Sequence, residues 1–159
     1  MPSSNKPSLV ARRRELGLTI GEVSRAWRYE INERLRPFGL NQSMQQVLMQ
    51  LHRSPHGMMQ RELARRLGIE DPTLVRLLDL LEREGWVKRL ASGDDKRRKV
   101  CVLTEQAQGQ IAVIEQVMRE LRGVMMKGMS AAEVELALDI MQRMRDNLVR
   151  CIDGATPER

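Results

Sequence analysis

A mainly α fold carrying one small β-hairpin is what this sequence predicts, and three observations carry the prediction. Apolar residues recur three and four apart through most of the chain, the spacing of a helix face. Only one window, residues 86–103, changes to period two. Aromatics make up 3% of the residues whereas Met reaches 11, and a core of Leu, Val, Ile and Met suits packed helices better than a β-sandwich. At 159 residues, 42% hydrophobic and 30% charged, the chain can form one compact domain or a small domain with an oligomerisation extension.

Residues 1–8 are rich in Ser, Pro, Asn and Lys and read as a disordered tail. From about Thr19 the period is helical, with Ile20, Val23, Trp27, Ile31 and Leu35 on one face. Thr19 and Glu22 are spaced as a capping box, although Leu9 to Leu18 can begin the helix earlier. Pro37 and Gly39 end it. Asn41 or Ser43 starts a second helix through Met44, Val47, Leu48 and Leu51, and Ser54-Pro-His-Gly57 forms its exit turn.

Three short elements follow. Gln60 to Leu67 is a helix with Leu63, Ala64 and Leu67 inward, stopped by Gly68. Asp71 and Pro72 suit the N-cap and first turn of the next helix, which runs to Glu84 and stops at Gly85. Trp86 to Leu90 and Lys99 to Leu103 are strand-like runs around a turn at Ser92-Gly-Asp-Asp95. From Thr104 the helical period returns through Ile111, Ile114, Val117 or Met118, Leu121 and Met125, until Gly128-Met-Ser130 breaks it. Ser130 and Glu133 are spaced as a capping box for a last helix through Val134, Leu138, Met141, Met144, Leu148 and Ile152. Residues 153–159 read as a flexible tail.

The formal charge is +6 and the sequence pI about 10.0. A basic balance favours a polyanionic partner, nucleic acid or an anionic membrane surface, without choosing between them. Cys101 and Cys151 are the only cysteines, too few for a disulfide framework. No secretory pattern and no apolar run of membrane-spanning length is visible. The expectation is a reduced, cytoplasmic protein with no membrane partner.

Placement of the charge is more informative. The order helix, turn, helix, basic-tipped hairpin over Gln60 to Thr104 is that of a winged helix-turn-helix, whose second helix enters the major groove of DNA. On the helix from Pro72, Leu74, Leu78 and Leu81 share one face, and Thr73, Arg76 and Arg83 lie on the other. Arg76 is the candidate base reader, because a guanidinium can bind guanine O6 and N7 together. Its alternative is a solvated arginine or a partner for Asp79. Thr73, near the helix start, can reach a phosphate or a base. Leu77 and Leu80 sit nearer the supposed DNA face than a polar surface predicts; they either wrap the core edge or meet a thymine methyl. Lys96-Arg-Arg-Lys99 places four cations in succession at the hairpin tip, which makes sense beside phosphates. There Arg97 can enter a narrow minor groove, with Asp95 holding its guanidinium in position.

Leu74-Val-Arg-Leu-Leu-Asp-Leu-Leu-Glu-Arg-Glu-Gly85, followed by Asp95-Lys-Arg97-Arg-Lys99 and Leu103-Thr-Glu105, resembles the MarR family, particularly its SlyA-like branch. Gly68-Ile-Glu-Asp-Pro-Thr-Leu-Val-Arg76 and Trp27-Arg28 with Leu35-Arg-Pro37 add to the likeness. It covers roughly residues 20–150 in layout, with its diagnostic motifs between Leu63 and Thr104. The resemblance implies a homodimer on a pseudo-palindromic operator, major-groove contact from Arg76 and minor-groove contact from Arg97. With the residues read directly above, the expected DNA-contact set is Thr73, Arg76, Asp95, Lys96, Arg97, Arg98 and Lys99. Two departures stand out: Met59 where many relatives have a Ser or Thr cap, and Asp71, whose charge near the recognition helix either weakens phosphate contact or caps the helix.

The layout expected is therefore an N-terminal dimerisation helix at 9–36, a DNA-binding domain at 41–104 and C-terminal dimerisation helices at 105–152. In a dimer the long helices interleave into a platform that spaces two reading heads about one DNA turn apart. The resemblance also implies release of DNA by a small phenolic or other anionic effector. Trp27, Met44, Leu48 and His52 are its candidate contacts, with plain packing as the competing role for each. Cys101 alternates within a strand and reads as a small structural residue. His52 and His56 form no catalytic or metal-binding pattern and no Gly-rich phosphate loop is present, so no enzyme activity, metal or cofactor is expected. The rival readings are a winged-helix protein-interaction module and a non-specific DNA binder without an effector.

Overall fold

A computed structural model describes residues 8–92 and 95–152, the side chains of 92–98 lying outside that description. The chain forms two compact units, Met1–Leu121 and Arg122–Arg159.

Helix α1 spans Leu9–Leu35. Ser8 caps it, its side-chain oxygen accepting from the Ala11 N–H at 3.3 Å. The capping box expected at Thr19 and Glu22 does not form. Thr19 lies inside the helix, and its hydroxyl donates to the Glu15 carbonyl at 3.0 Å, the local bond that Thr makes when helix surrounds it. A one-turn 3-10 helix, Arg36–Phe38, and Gly39 at φ 69° close the element. Of its apolar positions, Ile31 and Leu35 are buried, while Leu9, Val10, Leu18 and Val23 are exposed.

Helix α2, Gln42–His52, is capped by Asn41, whose Oδ1 accepts from the Met44 N–H at 3.0 Å. Asn32 of α1 accepts from the Gln42 N–H at 2.8 Å, fixing the corner between the two helices. Met44, Val47, Leu48 and Leu51 are all buried. A strand not foreseen in the sequence follows: β1, Met58–Met59. Two residues are too short to display a period, and its place is set instead by Gly57. That residue has φ 78°, and a Cβ on it would lie 2.5 Å from Val102 Cγ1 and 2.7 Å from the Cys101 carbonyl oxygen.

Helix α3, Gln60–Leu67, starts with no side-chain cap from Met59 and ends at Gly68 with φ 63°. Leu63 and Ala64 are buried and Leu67 is half-buried. Helix α4 spans Asp71–Arg83. Its N-cap position falls on Glu70 without a side-chain cap bond, so Asp71 is the first helical residue rather than the cap. A carboxylate there still meets the positive end of the helix dipole.

Strands β2, Val87–Ser92, and β3, Asp95–Leu103, form the hairpin. The sheet order is β1-β3-β2, antiparallel throughout, with Cys101 opposite both Met58 and Arg89. The strands extend further toward the tip than the period-two runs indicated, and Trp86 is buried just ahead of β2. Helix α5, Ala107–Met125, begins three residues after the expected Thr104. Thr104 instead bridges elements: its Oγ1 donates to the Gly85 carbonyl at 2.7 Å and accepts from the Ala107 N–H at 3.3 Å. Ile111, Ile114, Val117 and Leu121 are buried in one core with Leu48, Leu63, Leu74, Leu78 and Val87, whereas Met125 is exposed.

In the second unit, helix α6 spans Ala131–Ile152. Its capping box forms as the spacing predicts: the Ser130 N–H donates to Glu133 Oε2 at 2.8 Å and the Glu133 N–H to Ser130 Oγ at 3.3 Å. The Ser130 N–H first, and then the Ser130 hydroxyl, which donates to the same Oε2 at 2.7 Å, hold the Glu133 carboxyl below its ordinary range. No residue of α6 is buried; Leu136, Leu138, Met141, Leu148 and Ile152 are exposed.

Candidate nucleic-acid interface

Leu74, Leu78 and Leu81 of α4 are fully buried. Burying three leucines on one stripe fixes the rotation of the helix, because turning it would expose each of them at roughly 1.5–3 kcal/mol. Opposite that stripe, Thr73, Arg76 and Arg83 are exposed. Leu77 and Leu80 are half-buried and pack against the core, so they widen the buried stripe. Asp79 is not the partner of Arg76. Its Oδ1 accepts instead from Arg89 Nη2 on β2.

Arg89 is the residue that sequence reasoning missed. Val87 and Arg89 share one face of β2 by the two-residue period, and Val87 is buried. A cation in that phase needs a carboxylate, and Asp79 and Glu82, three apart on α4, supply two. The Arg89 N–H donates to Glu82 Oε1 at 2.8 Å, its Nε to Oε2 at 2.9 Å, and its Nη2 to both Glu82 and Asp79. The Arg89 guanidinium holds the Glu82 carboxyl below its ordinary range against a smaller opposing effect of burial. Hairpin and α4 are thereby joined by a charged clamp as well as by the apolar core.

Lys99, at the base of the tip, is exposed and pairs with Ala91 across the hairpin. Asp95, Lys96, Arg97 and Arg98 belong to β3 by their backbone, but their side chains lie outside the described residues, as does the Gly93-Asp94 turn. Beside α4, an open groove is bordered by Arg61, Glu62 and Arg65 of α3, Asp71 of α4, Arg89 and Lys99. Glu62 accepts from Arg65 Nε and Nη2 at 2.8 Å and from Arg66 Nε at 2.7 Å. Those bonds, Arg65 first, bring its carboxyl down to about 2.

The four candidate effector contacts fall in different surroundings. Met44 and Leu48 are core residues, Trp27 is half-buried against that core, and His52 is exposed on α2 with Nε2 3.9 Å from Glu115 Oε1. Cys101 is fully buried, and burial pushes its thiol up to about 11. Among the described residues, no group of His, Cys, Asp and Glu is placed to hold a metal ion. No described helix is long and apolar enough to cross a membrane.

Comparison with known proteins places this geometry. Residues 38–98 match the model of the MarR family. The chain is 41% identical to the transcriptional regulator PA3341, covering 85% of this chain and 98% of that one at a TM-score of 0.76. A mutant MarR from E. coli solved with operator DNA is 27% identical, with 87% and 99% covered and a TM-score of 0.71. The S. aureus MepR–DNA complex, at 21% identity, shares the fold with a TM-score of 0.76 over 82% of this chain and 96% of that one.

Proposed function

The chain belongs to the MarR family of transcriptional regulators, and from that premise we propose that it binds a pseudo-palindromic operator in double-stranded DNA as a homodimer. The observation that carries this reading is the pairing of α4 with the hairpin. An exposed stripe of Thr73, Arg76 and Arg83 is backed by three fully buried leucines and joined through Arg89 to a hairpin whose second strand, rather than its tip as expected, carries the run Lys-Arg-Arg-Lys. In this reading Arg76 and Thr73 contact base edges or adjacent phosphates in the major groove. Lys96, Arg98 and Lys99 neutralise phosphates, and Arg97, oriented by Asp95, enters the minor groove.

Homodimerisation is supported by the apolar side chains that α1 and α6 leave exposed, among them Val10, Leu18, Leu136 and Leu148. A DNA reader with a two-fold axis also matches a palindromic site. The domain roles follow: 9–36 and 105–152 dimerise, and 41–104 reads DNA in the cytoplasm. Release by a small phenolic or anionic effector at Trp27, Met44, Leu48 and His52 is the finer part of the reading and rests on family resemblance. Of those four, His52 alone is at the surface.

Selection of bound fragments from genomic DNA tests the whole reading. The expected result is a small set of sites sharing an inverted repeat with half-sites about one helical turn apart. Fragments bound without a shared sequence would overturn operator recognition. Repeating the selection with phenolic and carboxylate compounds tests release, and unchanged recovery with every compound would remove the effector while leaving the DNA reading intact.

A further inference from the structure

Arg76, Asp79 and Arg83 lie at i, i+3 and i+7 on the exposed stripe of α4. A carboxylate three residues after one arginine and four before another is a natural helix-surface partner for both. Here it serves neither. Asp79 pairs with Arg89, and among the described residues Arg76 and Arg83 make no ion pair. Arg89 can do this because Glu82 immobilises it, through the backbone N–H at 2.8 Å and Nε at 2.9 Å, while Nη2, which also bonds Glu82, reaches on to Asp79. The Arg89 side chain is 13% exposed and that of Asp79 57%, so the clamp is anchored inside and reaches out to the acid from below.

We propose that Arg89 is a positioning residue for DNA binding, which acts by withholding the Asp79 carboxylate from Arg76 and Arg83. Both guanidiniums are thereby kept for nucleic acid, and the one acid on the reading stripe is neutralised before it meets phosphate. Without Arg89, Asp79 would pair along the helix with Arg76 or Arg83, and each arginine so engaged would be withdrawn from DNA. The inference rests on α4 being the DNA-reading helix.

The test is a coupling measurement on a fluorescently labelled duplex taken from the genomic selection and on a labelled random-sequence duplex, both titrated over a range of salt. Arg89→Gln is expected to weaken binding by about tenfold and to lower the salt slope by about 1 for each arginine withdrawn. Adding Asp79→Asn to Arg89→Gln should restore affinity to within about twofold of wild type and restore the slope. A merely structural clamp predicts the opposite, since removing a second clamp residue cannot repair the first loss. A folded double variant that binds no better than Arg89→Gln overturns the proposal. If Arg89→Gln is unfolded at the assay temperature, the pair is made with Arg89→Lys, which keeps the charge but lacks the Nε–Nη2 edge that engages Glu82 while reaching Asp79. Recovery on adding Asp79→Asn then supports the proposal, and no recovery overturns it. Wild-type protein that binds neither duplex at low salt defeats the DNA reading itself, whereas wild-type binding without recovery defeats only the role given to Arg89.

Discussion

Thr104 closes the hairpin onto the helix that precedes it by bonding to Gly85: its hydroxyl donates to the Gly85 carbonyl at 2.7 Å, while its N–H donates to the Trp86 carbonyl at 3.1 Å. The same hydroxyl receives the Ala107 N–H and so helps start α5. One side chain therefore ties the turn after α4 to the beginning of α5, where the Ala107 N–H has no partner within the helix. Thr104→Val keeps the shape and removes both bonds. We expect a loss of about 1–2 kcal/mol in urea unfolding, with Thr104→Ser retaining most of the wild-type stability.

Gly57 is a second point where chemistry leaves no choice. A Cβ there would sit 2.5 Å from Val102 Cγ1 at a backbone φ of 78°. Gly57→Ala has to strain the backbone and push β1 off β3 together, so a destabilisation above about 2 kcal/mol is expected. A midpoint of thermal unfolding equal to that of wild type would contradict the pairing of Met58 and Met59 with β3.

The capping box of α6 gives a local prediction. Ser130→Ala removes the acceptor of the Glu133 N–H and should cost about 1 kcal/mol of helix stability. Hydrogen exchange at the amides of 131–135 in the full chain reads it directly, and protection unchanged there would show that the box does not hold the helix start.

Acid sensitivity follows from Glu82. Its folded pKa is depressed by Arg89, below the ordinary value of 4.5. A depressed carboxylate contributes stability that is fully present above its unfolded pKa and is lost as pH falls through the folded value. Wild type should therefore lose stability as acid is added below about pH 4.5, the region set by the ordinary carboxylate. Glu82→Gln should start less stable and show a shallower decline over the same window. Parallel declines in thermal melts across that window would contradict the role of the pair.

On DNA, Arg76 and Arg97 should separate by kind of contact. Arg76→Ala is expected to relax preference for the operator over random duplex by about 1–3 kcal/mol. Arg97→Ala should weaken both duplexes alike and reduce the salt slope by about 1. If neither substitution changes affinity in anisotropy titrations, residues 71–99 do not read DNA.

The sequence displayed α4 clearly because burial obeys its period: Leu74, Leu78 and Leu81 repeat on one face and all three are buried. Thr73 and Arg76 were legible as exposed by the same phase. Leu77 and Leu80, on the flanks of the stripe, were not, since their burial depends on what the neighbouring elements bring. Ser8 was hidden as a cap by a competing pattern at Thr19 and Glu22, which helix on both sides makes irrelevant. β1 is two residues long, and its pairing of Met58 with Cys101 and Met59 with Val100 in β3 has no local signature. Arg89 needed the hairpin folded onto α4 before its two carboxylates could be recognised.

Cys101 sits between Met58 and Arg89 in the middle strand, out of solvent and with a thiol held at about 11. Such a sulfur is chemically silent while the sheet is closed, because thiolate is the reactive form. Cys151 is exposed in the single chain and is expected to be alkylated first, providing an internal standard. The two thiols thus set up a comparison: the lag of the second alkylation behind the first is expected to report opening of the sheet around Cys101, with no residue changed.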